Sequence, residues 1–203
     1  MNNVHQRLIG GGSFSGLWYF HLYYGDFMTK VKIELLKGDI TERETDAIIN
    51  TANNMLILGS GLGGAIRAKG GESIAKECAR YGEVGVGRAI ITKAGSLKTR
   101  YIIHAVLMEF DGLIEEKNIT ESLTNSLRLA NKKKLRSLSI PDMSLGIVRF
   151  SPERCARILM NALKKFLEDE NQTLDLIEIV VWDIETLRTY KQLYSEVFTQ
   201  GVA

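Results

Sequence analysis

Three observations on the sequence predict an α/β fold. From Met28 onward, short β-type runs alternate with helical ones, as in a chain of strand–helix units. Several of the strand candidates are nearly all apolar, which suits strands buried on both faces, so helices should cover both sides of the sheet. The apolar run Ala47 to Asn50 leads through an Asn-rich turn into a glycine loop, Gly59 to Gly64, and an apolar-periodic run begins at Ala65.

Residues 1 to 27 stand apart. They are rich in aromatics, including Phe14, Trp18, Tyr19, Phe20 and Phe27, and only Arg7 and Asp26 carry formal charge. Because Met28 precedes a regular alternation of Val31, Ile33 and Leu35, one reading makes 1 to 27 an extension and 28 to 203 the folded domain. The competing reading is an additional strand packed on the sheet.

Within the domain, strands are predicted at Val31 to Leu36, Ala47 to Asn50, Ala89 to Thr92, Tyr101 to Val106, Ser137 to Ile140 and Leu176 to Trp182. Helical patterns occupy Ala65 to Lys69 and Glu72 to Tyr81, interrupted by Gly70-Gly71, since paired glycines are poor in a helix interior. Asn118 or Thr120 can cap a helix running to Lys134. Ser151-Pro152 offers an N-cap and a first-turn proline for a helix reaching Glu168, with Ala156, Leu159, Leu163 and Phe166 on one face. A last helix follows Asp183, with Leu187, Leu193, Val197 and Phe198 as core candidates.

The 203 residues, 45% hydrophobic and 25% charged, suit one globular domain with a sizeable core. A net charge of +2 with mixed signs provides no broad basic field, which disfavours nucleic acid as a partner and makes any bound nucleotide a small molecule. The run Lys132, Lys133, Lys134, Arg136 falls where a helix ends and complements its dipole. Cys78 and Cys155 are far apart and in no metal-binding or disulfide spacing, so two buried thiols in a reducing compartment are expected, with no metal or cofactor. The longest apolar run, Leu17 to Tyr24, is too short to span a membrane. A soluble, cytoplasmic protein is the expectation.

Chemistry concentrates between Ala47 and Gly64. Gly59, Gly61, Gly63 and Gly64 lack Cβ, so their N–H groups can approach phosphate oxygens at a helix N-terminus. Asn50, Asn53 and Asn54 can offer donors and acceptors to sugar hydroxyls. Gly59 to Gly64 also satisfies GxGxxG, which keeps a Rossmann-type NAD oxidoreductase in view. Against it, Thr51 to Leu58 separate the strand from the loop, and Glu83, at roughly the distance of the ribose-binding acid, lies in a Gly-rich turn. No GK[ST] follows the glycines, which excludes a P-loop.

Four segments in order resemble the macro domain, the ADP-ribose-binding module, over about Lys32 to Phe198. They are Gly38-Asp39-Ile40-Thr41; Ala47 to Asn53; Gly59 to Ile66; and Gly87 to Ala94 with Tyr101 to Val106. The resemblance implies a three-layer α/β/α sandwich with a mixed, mostly parallel central sheet. It implies ADP-ribose or a derivative as ligand, free or attached to ADP-ribosylated proteins. Asp39 would accept from the adenine amine and the Ile40 N–H would face a ring nitrogen. Gly59, Ser60, Gly61, Leu62, Gly63 and Gly64 would form the first phosphate loop. Asn53 would bond the distal ribose and is the one catalytic candidate. Trp182 either stacks on adenine or belongs to the core, and His104 is expected to be a satisfied core residue.

Two departures from the family pattern bear on function. The second phosphate loop, commonly P-A-L-G-T-G-V-G-G-F, reads here from Pro141 to Phe150 as PDMSLGIVRF. Ser144, Leu145, Gly146, Ile147, Val148 and Arg149 would face the diphosphate, Asp142 would bring a negative charge near it, and Arg149 would compensate. Members that hydrolyse mono-ADP-ribose from protein carboxylates typically carry V-D-G-A-I in the first loop, whereas this chain has Leu62-Gly63-Gly64-Ala65-Ile66. Gly63 cannot act as acid or base. Binding is therefore the primary expectation, with weak hydrolysis beside it. The alternative is a hydrolase of ADP-ribosyl protein, O-acetyl-ADP-ribose or ADP-ribose 1''-phosphate.

Overall fold

The computed structural model describes residues 21–24, 31–110, 112–143 and 150–199. Seven strands form one sheet: β1 (His21–Tyr24), β2 (Val31–Lys37), β3 (Ala47–Asn53), β4 (Ala89–Lys93), β5 (Tyr101–Met108), β6 (Ser137–Pro141) and β7 (Leu176–Val181). Their order is β1-β2-β7-β6-β3-β5-β4. The five inner strands run parallel, while β1 and β4 pair antiparallel at the two edges. The sheet is thus mixed and mostly parallel.

Among the described residues five α-helices cover it: α1 (Gly61–Gly70), α2 (Glu72–Ala79), α3 (Glu116–Lys132), α4 (Pro152–Asp169) and α5 (Ile184–Thr199). On one face Ile33, Leu35, Ile49, Ile103, Leu138 and Ile179 join the apolar sides of α3, α4 and α5 in the larger core. On the other, Ile48, Ala52, Ile102 and Val106 meet Ile66 of α1 and Ile74 and Cys78 of α2. Successive strand residues alternate between the two cores because side chains of a strand point to opposite faces. Full burial of each large aliphatic side chain contributes about 1.5–3 kcal/mol, so these two contacts hold the three layers together.

The α1/α2 face also carries polar residues. Glu178 of β7 is buried, receives both Arg43 Nε (2.8 Å) and Nη2 (2.6 Å), and accepts from Ser139 Oγ at 2.7 Å. Ser139 in turn meets Thr45 Oγ1 at 2.7 Å. These bonds offset the desolvation that burying a carboxylate entails.

Local signals explain most element ends. Ser151 caps α4 by accepting from Arg154 N at 3.2 Å, with Pro152 in the first turn. The Gly70-Gly71 break separates α1 from α2, with Gly71 at φ 93°, a conformation that favours glycine. Several boundaries differ from expectation. β3 continues through Asn53 with a register shift at Ala52/Asn53, so Thr51, Ala52 and Asn53 extend the strand predicted to end at Asn50. α1 begins at Gly61 rather than Ala65, because a glycine stretch is tolerated in the first turn of a helix anchored by Ile66. α3 begins at Glu116, so neither Asn118 nor Thr120 caps it. His21–Tyr24 pairs with β2 in the register His21↔Glu34 to Tyr24↔Val31.

Candidate functional site

β3 and β6 lie side by side in the sheet, yet the chain leaves them in opposite directions. After β3 it passes to α1 on one face, and after β6 to α4 on the other. Parallel sheets open a crevice at the carboxyl ends of strands where connections diverge in this way, and ligands bind there. The ends of β2, β7, β6, β3 and β5 form a row along this edge of the sheet.

The helix that follows β3 in this row, α1, packs against β3 and against the turn after β2. Ser60, its N-cap, makes no side-chain capping bond, and the first turn has no acidic residue. Gly64 N–H donates to Ser60 O at 2.9 Å, which leaves the N–H groups before it free of intrahelical bonds. Gly59, Ser60 and Gly61 are exposed, and Gly61 holds φ 53°, where a side chain would be strained. This end of the helix therefore presents unpaired donors and positive potential to an anion. Gly63 is different. It is buried, and a Cβ there would lie 3.3 Å from Leu58 Cδ2 and 3.4 Å from Leu58 Cα, pointing inward.

At the β2/β7 end, Asp39 caps a 3-10 turn over Ile40–Glu42. Its Oδ1 accepts from Thr41 N (2.9 Å) and Thr41 Oγ1 (2.6 Å), and its Oδ2 accepts from Lys69 Nζ at 2.9 Å. Lys69 also reaches Glu42 Oε1 at 2.6 Å. Partial burial works against the charged carboxylate, but the Thr41 and Lys69 hydrogen bonds prevail and hold Asp39 below the usual carboxylate range. Ile40 is buried and opens the turn, where the first N–H has no intrahelical partner. Gly38 N–H donates to Val181 O at 2.9 Å, which brings Trp182 beside this turn. The Trp182 side chain is 63% exposed, so it is a surface aromatic and not core.

At the β3/β5 end, the Asn53 amide braces its own loop. Oδ1 accepts from Met55 N (3.1 Å) and Ile57 N (3.2 Å), and Nδ2 donates to Ile57 O at 3.1 Å. Both lone pairs of Oδ1 are therefore in use, and one Nδ2 hydrogen remains to offer a ligand. The sugar-hydroxyl acceptor imagined for Asn53 is thus spent on the loop backbone.

The Macro domain family profile matches residues 49–159, more than half of the chain. A macro domain-containing protein of Listeria monocytogenes is 38% identical over 170 residues, covering 80% of this chain and 97% of that protein. The chain belongs to the macro domain family. A second macro domain-containing protein, from Caldanaerobacter subterraneus, is 35% identical over 173 residues, covering 82% of this chain and 98% of its own. An uncharacterized Thermotoga maritima protein is 38% identical over 171 residues, which is 81% of this chain but 28% of that longer protein. Among solved structures, the Oceanobacillus iheyensis macrodomain with ADP superposes with a TM-score of 0.77 at 27% identity, covering 89% of this chain and 97% of the other. The Trypanosoma brucei macrodomain in complex with ADP gives 0.72 at 29% identity, covering 79% and 68%.

In this macro domain the remaining predicted residues fall into distinct places. Asn54 is structural: Oδ1 accepts from Phe110 N (2.8 Å), Nδ2 donates to Glu83 Oε1 (3.0 Å), its N–H donates to Met108 O (2.9 Å), and its O accepts from Val84 N (2.8 Å). Glu83, the acid a dinucleotide site would have needed, is thereby a brace. Asn50 lies on the buried side of β3, with Nδ2 3.1 Å from His104 Nδ1 and Oδ1 without a partner. His104 also meets Thr92 Oγ1 at 3.0 Å and Cys78 Sγ at 3.6 Å, and its burial pushes it down to about 4, so it is a neutral core residue. Cys78 and Cys155 are buried free thiols, both pushed up to about 11 by burial.

Asp142 does not face the phosphate path. It is buried, and Tyr190 of α5 donates to its Oδ1 at 2.7 Å, so its carboxylate is turned toward the helical layer. Ser144, Leu145, Gly146, Ile147, Val148 and Arg149 lie outside the described residues. Among the described residues no group of His, Cys, Asp and Glu could hold a metal ion, and no helix is long and apolar enough to cross a membrane. Sequence reasoning missed Lys69; its place in the last turn of α1, separated from Asp39 by 30 positions, gave no local signal.

Proposed function

We propose that this macro domain binds ADP-ribose or an ADP-ribose derivative in the crevice between β3 and β6. One observation carries the reading: the uncapped, acid-free N-terminus of α1 opens into that crevice, with Asp39 and exposed Trp182 at one end and Asn53 at the other. The diphosphate would take the free N–H groups at the centre, where the helix dipole favours it. Adenine would lie against Trp182 with its amine on Asp39, and the distal ribose would accept from the remaining Asn53 amide hydrogen. The Oceanobacillus iheyensis macrodomain with ADP, and a mutant of it with ADPR, supply relatives at 27% and 28% identity whose ligands have this chemistry.

Binding, and not turnover, is the function proposed. The position where hydrolysing members carry an acid is Gly63, and its inward direction ends on Leu58. The proposed ligands include ADP-ribose attached to proteins, residues 28–203 would form the domain with 1–27 an extension that adds the edge strand His21–Tyr24 to its sheet, and the two buried free thiols accord with a reducing, cytoplasmic setting. Titration calorimetry with ADP-ribose tests the reading. Saturable heat at micromolar ligand, lost in Asp39→Ala and weakened in Asn53→Ala, is the expected result. No heat at high micromolar ligand from a folded sample removes it.

A further inference from the structure

Most large apolar side chains among the described residues are buried, and seven stand well exposed. Four of the seven, Met55, Ile57, Phe110 and Leu113, fall on the two loops that follow β3 and β5 and are between 46% and 65% exposed. The loops are tied to each other: Asn54 N–H donates to Met108 O at 2.9 Å, and Asn54 Oδ1 accepts from Phe110 N at 2.8 Å. Single exposed apolar residues are ordinary, but several on neighbouring loops mark a contact surface. The fold does not need them. Leu56 and Leu58 already fill the interior beneath the first loop, and Ile114 packs on the core from the second. Charge on these loops is of one sign. Residues 53–58, 83–86 and 108–115 hold no Lys or Arg, while Glu83, Glu109 and Glu115 are exposed and form no ion pair among the described residues.

We infer that this apolar, acidic rim docks the polypeptide to which ADP-ribose is attached, and that it favours acceptors with apolar and basic residues beside the modified side chain; the inference rests on the ADP-ribose reading above. An ADP-ribosyl group is joined to its acceptor through the anomeric carbon of the distal ribose, the sugar assigned to Asn53. The Asn53 amide is bonded to Met55 N–H and to both N–H and C=O of Ile57, so an acceptor leaving that ribose passes over the loop that carries these two side chains. Apolar residues of the acceptor would cover Met55, Ile57, Phe110 and Leu113 and take their surface out of water. Its Lys or Arg would meet the three carboxylates, which orients the chain and rejects acidic acceptors. A second copy of this chain fits less well, because a two-fold contact would set the same carboxylates against each other.

The test is calorimetry on the full chain with free ADP-ribose and with three peptides that carry ADP-ribose on a central serine. One has Leu, Phe and Lys around the serine, one has Ser and Gly in place of Leu and Phe, and one has Glu in place of Lys. The first should bind at least about tenfold tighter than free ADP-ribose, and each of the others should lose at least about threefold of that gain. In Phe110→Ser and in Leu113→Ser the ratio of the first peptide's affinity to that of free ADP-ribose should fall at least about threefold; a general loss of folding or of the cleft weakens both ligands and leaves the ratio alone. In a parent that binds ADP-ribose, peptides no tighter than the free ligand, three peptides of equal affinity, or a ratio that neither variant moves overturn this inference alone. A dimer of the parent, seen by sedimentation and dissolved by Phe110→Ser, gives the surface to a second copy and overturns it as well. A parent that binds neither free ADP-ribose nor any peptide removes the ADP-ribose reading and this one with it.

Discussion

Gly63→Asp would return an acid to the first loop at the position where hydrolysing relatives have one, and its outcome can be worked from the local geometry. Two terms favour the change. A side chain replacing glycine within a helix gains about 0.5–1 kcal/mol, and an acid in the first turn about 0.3–1 kcal/mol. Against them, the new Cβ would sit 3.3 Å from Leu58 Cδ2 and 3.4 Å from Leu58 Cα, and overpacking of this kind costs about 1–3 kcal/mol. The carboxylate would also be buried facing Asn50 Oδ1, which lies 3.8 Å from that Cβ. Two acceptors opposed in a buried site cost about 1–3 kcal/mol, and turning the Asn50 amide over to relieve them gives up its bond to His104. The balance is a loss of about 2 kcal/mol, which lowers Tm by about 4–8 °C in a domain of this size. Thermal melting measures the first part. Single-turnover release of ADP-ribose from a mono-ADP-ribosylated carboxylate measures the second, and no gain over the parent is expected. A variant that melts with the parent and hydrolyses the substrate would show that position 63 is open to the cleft, contrary to the Leu58 contact.

Three further outcomes follow from the same structure. His104 is pushed down to about 4 by burial, below the ordinary value near 6.5 of an unfolded chain, so the unfolded state binds its proton first; the stability involved is complete above pH 6.5 and about 3 kcal/mol of it is lost as pH falls to 4. Urea midpoints should drop over that window in the parent and less so in His104→Gln, and a parent midpoint flat from pH 7 to 4.5 contradicts this. Tyr190→Phe deletes a 2.7 Å hydrogen bond to the buried Asp142 carboxylate and should cost about 1.5–3 kcal/mol by urea denaturation, a loss under about 0.5 kcal/mol counting against it. Trp182→Ala should weaken ADP-ribose by about tenfold, consistent with one stacked base, while leaving Tm in place because the ring is exposed; a lowered Tm with unchanged affinity reverses the assignment.

What could be read in advance depended on how far apart the determinants lie. Ser151-Pro152 announces α4 because a cap acts on an N–H three residues away. The alternation of Val31, Ile33 and Leu35 places β2 because a strand repeats every two residues. The glycine loop proposed to take the diphosphate is likewise one contiguous stretch, at the start of α1. Asn53 was not legible in this way. Its role depends on a turn in which Leu56 takes φ 55° and returns Met55 and Ile57 to the Asn53 amide, a geometry that no pattern of residue types announces. Trp182 could be read as core or as surface until the end of β7 was fixed at Val181 and α5 began at Ile184. Asp142 looked like a charge in the cleft because its partner, Tyr190, lies 48 positions away on α5.

Asn54 ties three otherwise separate stretches into one kinetic unit. Its carbonyl holds the Val84 N–H and its side chain holds the Phe110 N–H, while its own N–H is held by Met108. Amide protons at these three places should exchange with deuterium at a common rate, because releasing any of them requires the same local opening. The stretch that follows β3 should therefore open cooperatively, and ligand seated against Asn53 would slow exchange at Val84 and Phe110 as well.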